Sequence, residues 1–266
     1  MSDSEVKVHQ MSFWSHLQEL RSRIIRCLLI LATGFCVTFA FRFRIWEWVQ
    51  KPLVEVYILQ LELNDLPVPE VFEPFAFTGV AEPFFSLLRV AFWAAAFLVA
   101  PLIFYQIWAF IRPGLYERER KMVIPFVLAT TFCFLSGAAF AYVYAFKSIA
   151  GILIEQAITA GLRPNLKLNE YLDIFINTVI GIGLTFEMPV LVYFLARFRI
   201  ITAKWMLKYW RHAAIIIMVA AAFITPGDVF VTTVFLSLIM LGLYFVSVLV
   251  ALFAEPKPKP TPTHES

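Results

Sequence analysis

Residues 84–111 read FFSLLRVAFWAAAFLVAPLIFYQIWAFI and contain a single charged side chain, Arg89. A helix needs about 20 consecutive apolar residues to cross the ~30 Å hydrocarbon core of a bilayer. The run exceeds that length and lacks the strict alternation of apolar and polar residues that indicates a half-buried strand. It therefore predicts a helix that spans a membrane.

The composition of the whole chain also indicates a membrane protein. Of its 266 residues, 61% are hydrophobic and 15% are charged, whereas a soluble domain averages about half apolar and a quarter charged. The apolar residues come in long blocks, so we predict an all-α polytopic fold with six transmembrane helices. The predicted helices cover approximately residues 24–41, 84–111, 122–146, 171–195, 205–224 and 229–253.

Two parts of the predicted fold are not full-length transmembrane helices. The fifth helix should be short, because its apolar block, residues 213–224, corresponds to about 18 Å of helix, and it should leave a concave face. Residues 42–83 are rich in proline and aromatic side chains and predict an ordered extracytoplasmic cap. We assign residues 1–253 to one transmembrane domain and the proline- and lysine-rich residues 254–266 to a disordered cytoplasmic tail.

Lysine and arginine residues indicate how the chain is oriented in the membrane. With the N-terminus inside, the inner segments hold fifteen of these residues and the outer segments hold seven. Positive residues are enriched in cytoplasmic loops. The bias therefore predicts that both termini are cytoplasmic.

Residue types that carry enzymatic chemistry are missing from the predicted membrane interior. All four histidines lie at or beyond its inner boundary, which disfavours an intramembrane serine protease. The chain contains no zinc-binding HExxH motif, no phosphate-binding glycine loop and no paired intramembrane aspartates, and its three cysteines share no ligand spacing. We therefore predict that the protein is not an enzyme, uses no metal or cofactor and does not bind nucleic acid.

The charged segment IRPGLYERERK (111–121) contains two glutamates with different surroundings. Glu117 has Lys121 at i+4, which is an ordinary surface pair on a helix. The positions at i±3 and i±4 from Glu119 are apolar or aromatic, so no helical neighbour neutralises its charge. Glu119 is therefore a candidate binding residue, and the alternative is a solvated glutamate shielded by the adjacent arginines.

A second acidic candidate precedes the first membrane helix. The segment FWSHLQELRSRII (13–25) has apolar residues at helical spacing, and Glu19 lies on its polar side with Arg23 at i+4. An internal ion pair is one interpretation of Glu19. The other is that Glu19 and Glu119 together bind cations, for which guanidinium groups are suited because their donors form a bidentate fork with a carboxylate.

Glu187 is the acidic residue that lies deepest in the predicted membrane. It stands ten positions before Arg197, about 15 Å along a helix. An acid at this depth is a functional candidate by default, and the alternative is a protonated glutamate hydrogen-bonded to another helix. We expect Glu187 to open onto the concave face. Pro189 should bend the helix, because it frees a backbone carbonyl.

Four motifs in this chain resemble the TatC family, the polytopic core subunit of twin-arginine protein translocases. They are HLQELRSR (16–23), APLIFYQIWAFIRPGLYERERK (100–121), TFEMP (185–189) and TPGDVF (225–230). Each motif is short, but their order and spacing extend over nearly the whole chain. The resemblance implies a six-helix protein of the bacterial cytoplasmic membrane with its N-terminus inside.

The resemblance also implies which residues recognise signal peptides that bear consecutive arginines. Glu19 and Glu119 match the two arginine-recognising glutamates of the family. The positive residues around Glu119 then set the topology, and the glutamate between them is the specific charge partner. The other positions of the implied site are Leu20, Arg21, Phe110 and Leu115.

A second implied surface docks single-span partner subunits of the TatA and TatB type. Many family members carry glutamine where this chain has Thr232, whose hydroxyl can also hydrogen-bond but has a shorter reach. The implied docking positions are Ala222, Phe223, Ile224, Thr225 and Thr232. The structural positions that we single out are Pro52, Pro189 and Asp228, of which Asp228 can cap the sixth helix.

The sequence thus predicts a signal-peptide receptor and assembly core for the export of folded proteins, as the resemblance implies. The expected partners are TatA- and TatB-like subunits, twin-arginine signal peptides, the lipid bilayer and further copies of the chain, with energy from the proton-motive force. The alternative is a proton-coupled small-solute carrier centred on Glu187. A carrier would normally need several polar groups at the membrane midplane.

Overall fold

The computed structural model describes residues 13–68, 75–112, 123–162, 166–224 and 230–255, and most of them are helical. The helices are α1 (Phe13–Ala40), α2 (Arg42–Leu63), α3 (Glu82–Ile111), α4 (Val123–Phe140), α5 (Phe146–Thr159), α6 (Leu168–Thr185), α7 (Met188–Arg197), α8 (Ala203–Lys208), α9 (Trp210–Ile224) and α10 (Phe230–Ala254). A π-helical turn, Ala141–Ala145, joins α4 to α5. Two short strands, β1 (Phe75–Ala76) and β2 (Leu166–Lys167), pair in parallel.

Five helical segments of the described residues are long and apolar enough to cross a membrane, which indicates a multi-pass membrane protein. They are Trp14–Ala40, Glu82–Ile111, Val123–Thr159, Leu168–Arg197 and Thr233–Ala254. Helix α9 is also apolar but has 15 residues, which correspond to about 22 Å and are too few to cross the hydrocarbon core unaided. The helix predicted over 205–224 is divided, because α8 ends at Lys208 and α9 begins at Trp210.

The sequence predicted an ordered cap over residues 42–83 and assigned no helix there, but α2 fills much of this segment with Pro52 in its interior. Proline has no N–H to bond the carbonyl four residues earlier, which here belongs to Trp48. The hydroxyl of Tyr142 donates to that carbonyl at 2.8 Å, and the hydroxyl of Tyr171 donates to the next one, Val49. Tyr142 therefore satisfies the carbonyl that Pro52 leaves without a helical partner, and Tyr171 adds a second contact to the same turn.

An ion pair also attaches α2 to α5. Lys147 Nζ lies 2.6 Å from Glu55 Oε2, and the hydrogen bond from Lys147 lowers the pKa of Glu55. Because both side chains are partly exposed, solvent screens the pair and its contribution to stability is small. The packing of α2 therefore depends mainly on its buried apolar face, which includes Leu53 and Val56.

Helix α1 packs closely along α3. The hydroxyl of Thr38 donates to the carbonyl of Ala91 at 2.7 Å. A methyl group added at Gly34 would lie 2.6 Å from Val99 Cγ1, so only glycine fits there without a shift of the neighbouring side chain. Small residues permit this close approach in a bilayer, where packing rather than hydrophobicity drives helix association.

The fourth long segment, Leu168–Arg197, is interrupted in its interior. Helix α6 ends at Thr185 and α7 begins at Met188, with Phe186 and Glu187 in the turn between them. Pro189 is in the first turn of α7. There its missing N–H leaves no partner for the carbonyl of Thr185, which explains why the helix ends at that residue.

Candidate functional site

Glu19 lies near the start of α1 and accepts hydrogen bonds from Arg23, one helical turn later. Arg23 Nε donates to Glu19 Oε1 at 2.9 Å, and Nη2 donates to the same oxygen. The side chain of Glu19 is 21% exposed. Its other oxygen, Oε2, is buried and has no hydrogen-bond partner among the described residues. The internal ion pair therefore forms, yet it leaves one carboxylate oxygen as an unused acceptor.

Gln106 on α3 fixes the position of this ion pair. Arg23 Nη1 donates to Gln106 Oε1 at 3.2 Å, so the guanidinium bridges two helices. The sequence analysis did not identify Gln106. A signal was present, because Gln106 is an uncharged polar residue inside an otherwise apolar run, and such residues often hydrogen-bond to a neighbouring helix.

Phe110 lies beside the same part of α1. Its ring stacks on that of His16, with the ring centroids 4.4 Å apart and an interplanar angle of 17°. Because His16 precedes Glu19 by three residues, Phe110 and Glu19 lie at the same end of the α1–α3 pair. Two of the predicted recognition residues are thus close together in the fold although they are far apart in the chain.

An aromatic cluster holds both ends of the segment that carries Glu119. Trp108, near the end of α3, is buried and stacks on Phe126 at the start of α4, with centroids 4.9 Å apart. Phe194 of α7 packs edge-on against both rings. The described helices therefore bring residues 112 and 123 to the end of the bundle where Glu19 lies.

Of the remaining predicted recognition residues, two are described by the structure and two are not. Leu20 is half-buried and Arg21 is exposed on α1, so Arg21 faces away from the contact with α3. Leu115 and Glu119 lie outside the described residues, as does Glu117. The described part of the site therefore consists of Glu19, its ion-pair partner and the ring of Phe110.

Glu187 is a second buried carboxylate, far from the first along the chain. It is 6% exposed, and it lies beside the backbone of Phe134 on α4. Its Oε1 atom has no hydrogen-bond partner among the described residues. A buried acid with an unused oxygen is costly in a membrane unless it is protonated or hydrated.

A cavity of about 550 Å³ lies next to the break between α6 and α7. It is bounded by side chains of α3, α6, α7, α9 and α10, including Asn177, Thr185, Met188 and Phe223. Glu187 is not among the described residues that line it. Its carboxylate lies beside the backbone of Phe134 on α4, and the expectation that it opens onto a concave face stays a prediction.

The predicted partner-docking positions lie around the end of the short helix α9. Ala222 is exposed, and Phe223 is 84% exposed while also lining the cavity. Ile224 ends α9 and Thr232 lies in α10, but their side chains are outside the described part of the structure, as are Thr225 and Asp228 altogether. The described portion of this surface is apolar and uncovered.

Within the described residues, no group of three or more histidine, cysteine, aspartate or glutamate side chains is arranged to hold a metal ion. The geometry combines a partly satisfied carboxylate at one end of the bundle with an exposed apolar helix end. Such a molecule can bind a cationic peptide and a partner helix.

Comparisons with known proteins identify the family. The family model for the Sec-independent protein translocase protein (TatC) matches residues 15–238. The TatC protein of Koribacter versatilis (strain Ellin345) is 35% identical over 254 residues, which are 96% of this chain and 90% of that one. The TatC protein of Helicobacter pylori (strain J99 / ATCC 700824) is 36% identical over 92% of this chain and 90% of that one.

A solved structure agrees with the sequence relatives. The crystal structure of a twin-arginine translocase receptor, TatC, superposes with a TM-score of 0.77 at 28% identity and covers 90% of this chain and 99% of that chain. Proteins of this kind are receptor components of a translocase complex and not catalytic enzymes. The family model, the relatives and the crystal structure agree over most of the chain, and the chain belongs to the TatC family, the receptor subunit of the twin-arginine translocase.

Proposed function

We propose that this chain is the receptor and assembly core of a twin-arginine translocation system. It binds twin-arginine signal peptides at the cytoplasmic face and recruits single-span TatA- and TatB-like subunits, so that folded proteins are exported with energy from the proton-motive force. It crosses the bacterial cytoplasmic membrane six times, with both termini cytoplasmic. Further copies of the chain assemble in the same complex.

The observation that carries this proposal is the second oxygen of Glu19. Arg23 binds Oε1, whereas Oε2 is buried and unpartnered among the described residues. Leaving a buried acceptor unsatisfied costs roughly 1–3 kcal/mol or more. A guanidinium from a peptide would satisfy Oε2 with a charged hydrogen bond, so the free protein already holds part of an arginine-binding site.

A peptide with two consecutive arginines needs a second carboxylate, and we assign that role to Glu119. Glu119 belongs to the segment between α3 and α4. The stacked rings of Trp108 and Phe126 flank this segment, on the side of the bundle where Glu19 lies. Phe110, stacked on His16 beside Glu19, offers an apolar surface for the peptide residues that flank the arginines.

The peptide specificity can be tested directly with the purified full-length chain. A labelled peptide with two consecutive arginines should bind, and the same peptide with two lysines should bind at least about tenfold more weakly, since each ammonium loses one of the two bonds of the guanidinium fork. Fluorescence anisotropy in detergent measures both affinities. Equal affinities for the two peptides would show that net charge alone is recognised and would contradict the proposed site.

We expect partner subunits to dock at the exposed end of α9. In a background where Cys27, Cys36 and Cys133 are replaced by alanine, a cysteine at Phe223 should form a disulfide with a single-span partner that carries a cysteine at matching depth. The physical reason is that Phe223 is uncovered at the end of a short helix, where a partner helix can approach closely. Non-reducing electrophoresis after mild oxidation measures the cross-linked fraction.

The control for this cross-link is a cysteine at Leu29, an exposed apolar residue of α1. Both positions face the membrane environment, so random collisions would label both. A cross-linked fraction at Leu29 equal to that at Phe223 would rule out specific docking at α9.

The carrier centred on Glu187 has less support. The cavity beside α6 offers Asn177 and Thr185 to a solute, and Glu187 is not among the described residues that line it. A carrier needs several polar groups that converge on its substrate. The described residues do not provide that convergence around Glu187.

A further inference from the structure

A lateral crevice of about 500 Å³ lies between α2, α3, α4 and α6, away from the proposed peptide site. None of the described residues that line it is charged. Those that matter below are Trp48, Trp93, Ala94, Phe97, Leu98 and Tyr142. Its volume falls within the roughly 300–1,000 Å³ range of pockets that bind small organic ligands.

Contacts between helices border the crevice at two ends, and it is open on one side. At one end, the ring of Phe97 stacks on Phe134, with centroids 5.2 Å apart, and joins α3 to α4. At the other end it is bordered by α2, where Tyr142 donates to the carbonyl of Trp48. Trp48 is 70% exposed and Leu98 is 58% exposed, so the open side lies at the outer surface of the bundle.

The position of the crevice shows which kind of molecule can fill it. Helices α3, α4 and α6 belong to segments that are apolar and long enough to cross the membrane, so the open side faces hydrocarbon. Water is disfavoured, because a buried water needs polar partners and the walls are apolar. An empty crevice would forfeit dispersion contacts along its walls. An acyl chain of the surrounding bilayer satisfies both conditions.

The length of the crevice agrees with an acyl chain. Its α3 wall extends from Val90 to Leu98, which is about 12 Å at 1.5 Å per residue. One leaflet contributes about half of the ~30 Å hydrocarbon core. One chain of one leaflet therefore fits, with its head group at the end bordered by α2.

Cationic side chains lie at that end. Arg44 is exposed one helical turn before Trp48, and it forms no ion pair with another described residue. Arg42 is packed between Phe39 and Phe43, with its guanidinium 4.5 Å from each ring centroid. An unpaired arginine at a membrane surface attracts anionic head groups and binds phosphate oxygens through its planar fork.

We propose that this crevice binds one acyl chain of an anionic phospholipid and that Arg44 holds its phosphodiester. The bound lipid fills the space between α2 and the helix pair α3–α4, and its contacts stabilise the packing of α2 against the bundle. This site shares no residue with the proposed peptide site or the α9 docking surface. A failure of lipid binding would therefore not contradict those proposals. A failure of peptide binding or partner docking would likewise not contradict the lipid site.

Native mass spectrometry of the purified full-length chain tests the site, with phosphatidylglycerol titrated into the detergent solution. Ala94→Phe fills the crevice and should weaken the tightest lipid-binding event more than tenfold, since each displaced methylene contributes roughly a fourfold factor. Arg44→Gln should weaken it roughly fivefold, the effect expected for one arginine near an anionic surface. Arg44→Gln should also remove the preference for phosphatidylglycerol over phosphatidylcholine.

Two matched variants serve as controls. Leu102→Phe adds the same ring to an exposed position of α3 outside the crevice, and Lys51→Gln removes a cation from α2 that lies 3.8 Å from Glu55. Both should bind lipid as the unmodified protein does. Unchanged lipid binding in Ala94→Phe, or equal effects of Arg44→Gln and Lys51→Gln, would overturn the proposal. A third result would also overturn it. If Ala94→Phe kept lipid binding but lost the cross-link between a cysteine at Phe223 and a single-span partner, the crevice would hold a protein segment and not a lipid. Arg44 is on the surface, so its replacement tests the site without disturbing the fold.

Discussion

Replacing Glu119 with alanine is expected to weaken the binding of a twin-arginine peptide about tenfold to a hundredfold, because a charged hydrogen-bonded contact contributes roughly 1.5–3 kcal/mol. Glu19→Ala should have an effect of similar size, since each guanidinium needs its own carboxylate. Glu119→Lys should weaken binding further, because it places like charges face to face. Equilibrium binding of a labelled peptide to protein reconstituted in lipid measures all three variants.

Glu117→Ala is the matched control for this series. It removes the same charge from the same segment, but the sequence predicts a local partner for Glu117, Lys121 at i+4. Its binding should stay within about twofold of the unmodified protein, since surface pairs of the predicted kind contribute little. If Glu117→Ala lost binding and Glu119→Ala kept it, the assignment of the second carboxylate would be wrong.

Gly137→Ala should destabilise the fold by about 1–3 kcal/mol, the usual result of adding a group to a well-packed interface. Gly137 lies on α4 where α6 ends, and a methyl group there would lie 2.7 Å from both Cβ and Cγ of Phe186. Cβ is attached directly to the backbone, so a change of side-chain rotamer at Phe186 cannot relieve its contact with the added methyl group. The apparent melting temperature in detergent should fall by several degrees, since 1 kcal/mol corresponds to about 2–4 °C in a protein of roughly this size.

Gly242→Ala is the control for helix propensity. Gly242 lies in α10, and an added methyl group would have no neighbour within 4 Å among the described residues. Alanine favours a helix over glycine by roughly 0.5–1 kcal/mol, so this variant should be as stable as the unmodified protein or slightly more stable. An equal loss of stability in both variants would mean that the contact with Phe186 is not the reason why alanine at position 137 destabilises the fold.

The membrane helices follow from the sequence because the bilayer imposes one condition on every residue. Without water, each backbone N–H and C=O must be satisfied within the chain, so a long apolar run such as 84–111 has to be helical. The short apolar block at 213–224 likewise predicted a short helix, which α9 is. Pro189 predicted a bend, and the helix is interrupted just before it. These features depend on local composition alone.

Helix α2 depended on contacts that local composition does not contain. The segment was expected to form an ordered cap, and no helix was assigned to it. The Trp48 carbonyl, which Pro52 leaves without a helical partner, accepts a hydrogen bond from Tyr142, and the adjacent Val49 carbonyl accepts one from Tyr171; both tyrosines are more than 90 residues away from these carbonyls in the chain. Since the energy that permits the helix comes from another part of the fold, a window of sequence around Pro52 could not reveal it.

The same distinction applies to the carboxylates. An ion pair between Glu19 and Arg23 was one of two interpretations of the sequence, because residues four apart on a helix are neighbours. The register of α1 against α3 decided two further features. Gln106 binds the same guanidinium, and Glu19 Oε2 is left without a partner among the described residues. For Glu187, the sequence determined the depth, because hydropathy places the whole helix in the membrane. Only the packing of α4 against the break after α6 brought its carboxylate beside the backbone of Phe134, since the surroundings of a side chain depend on helices that are distant in the chain.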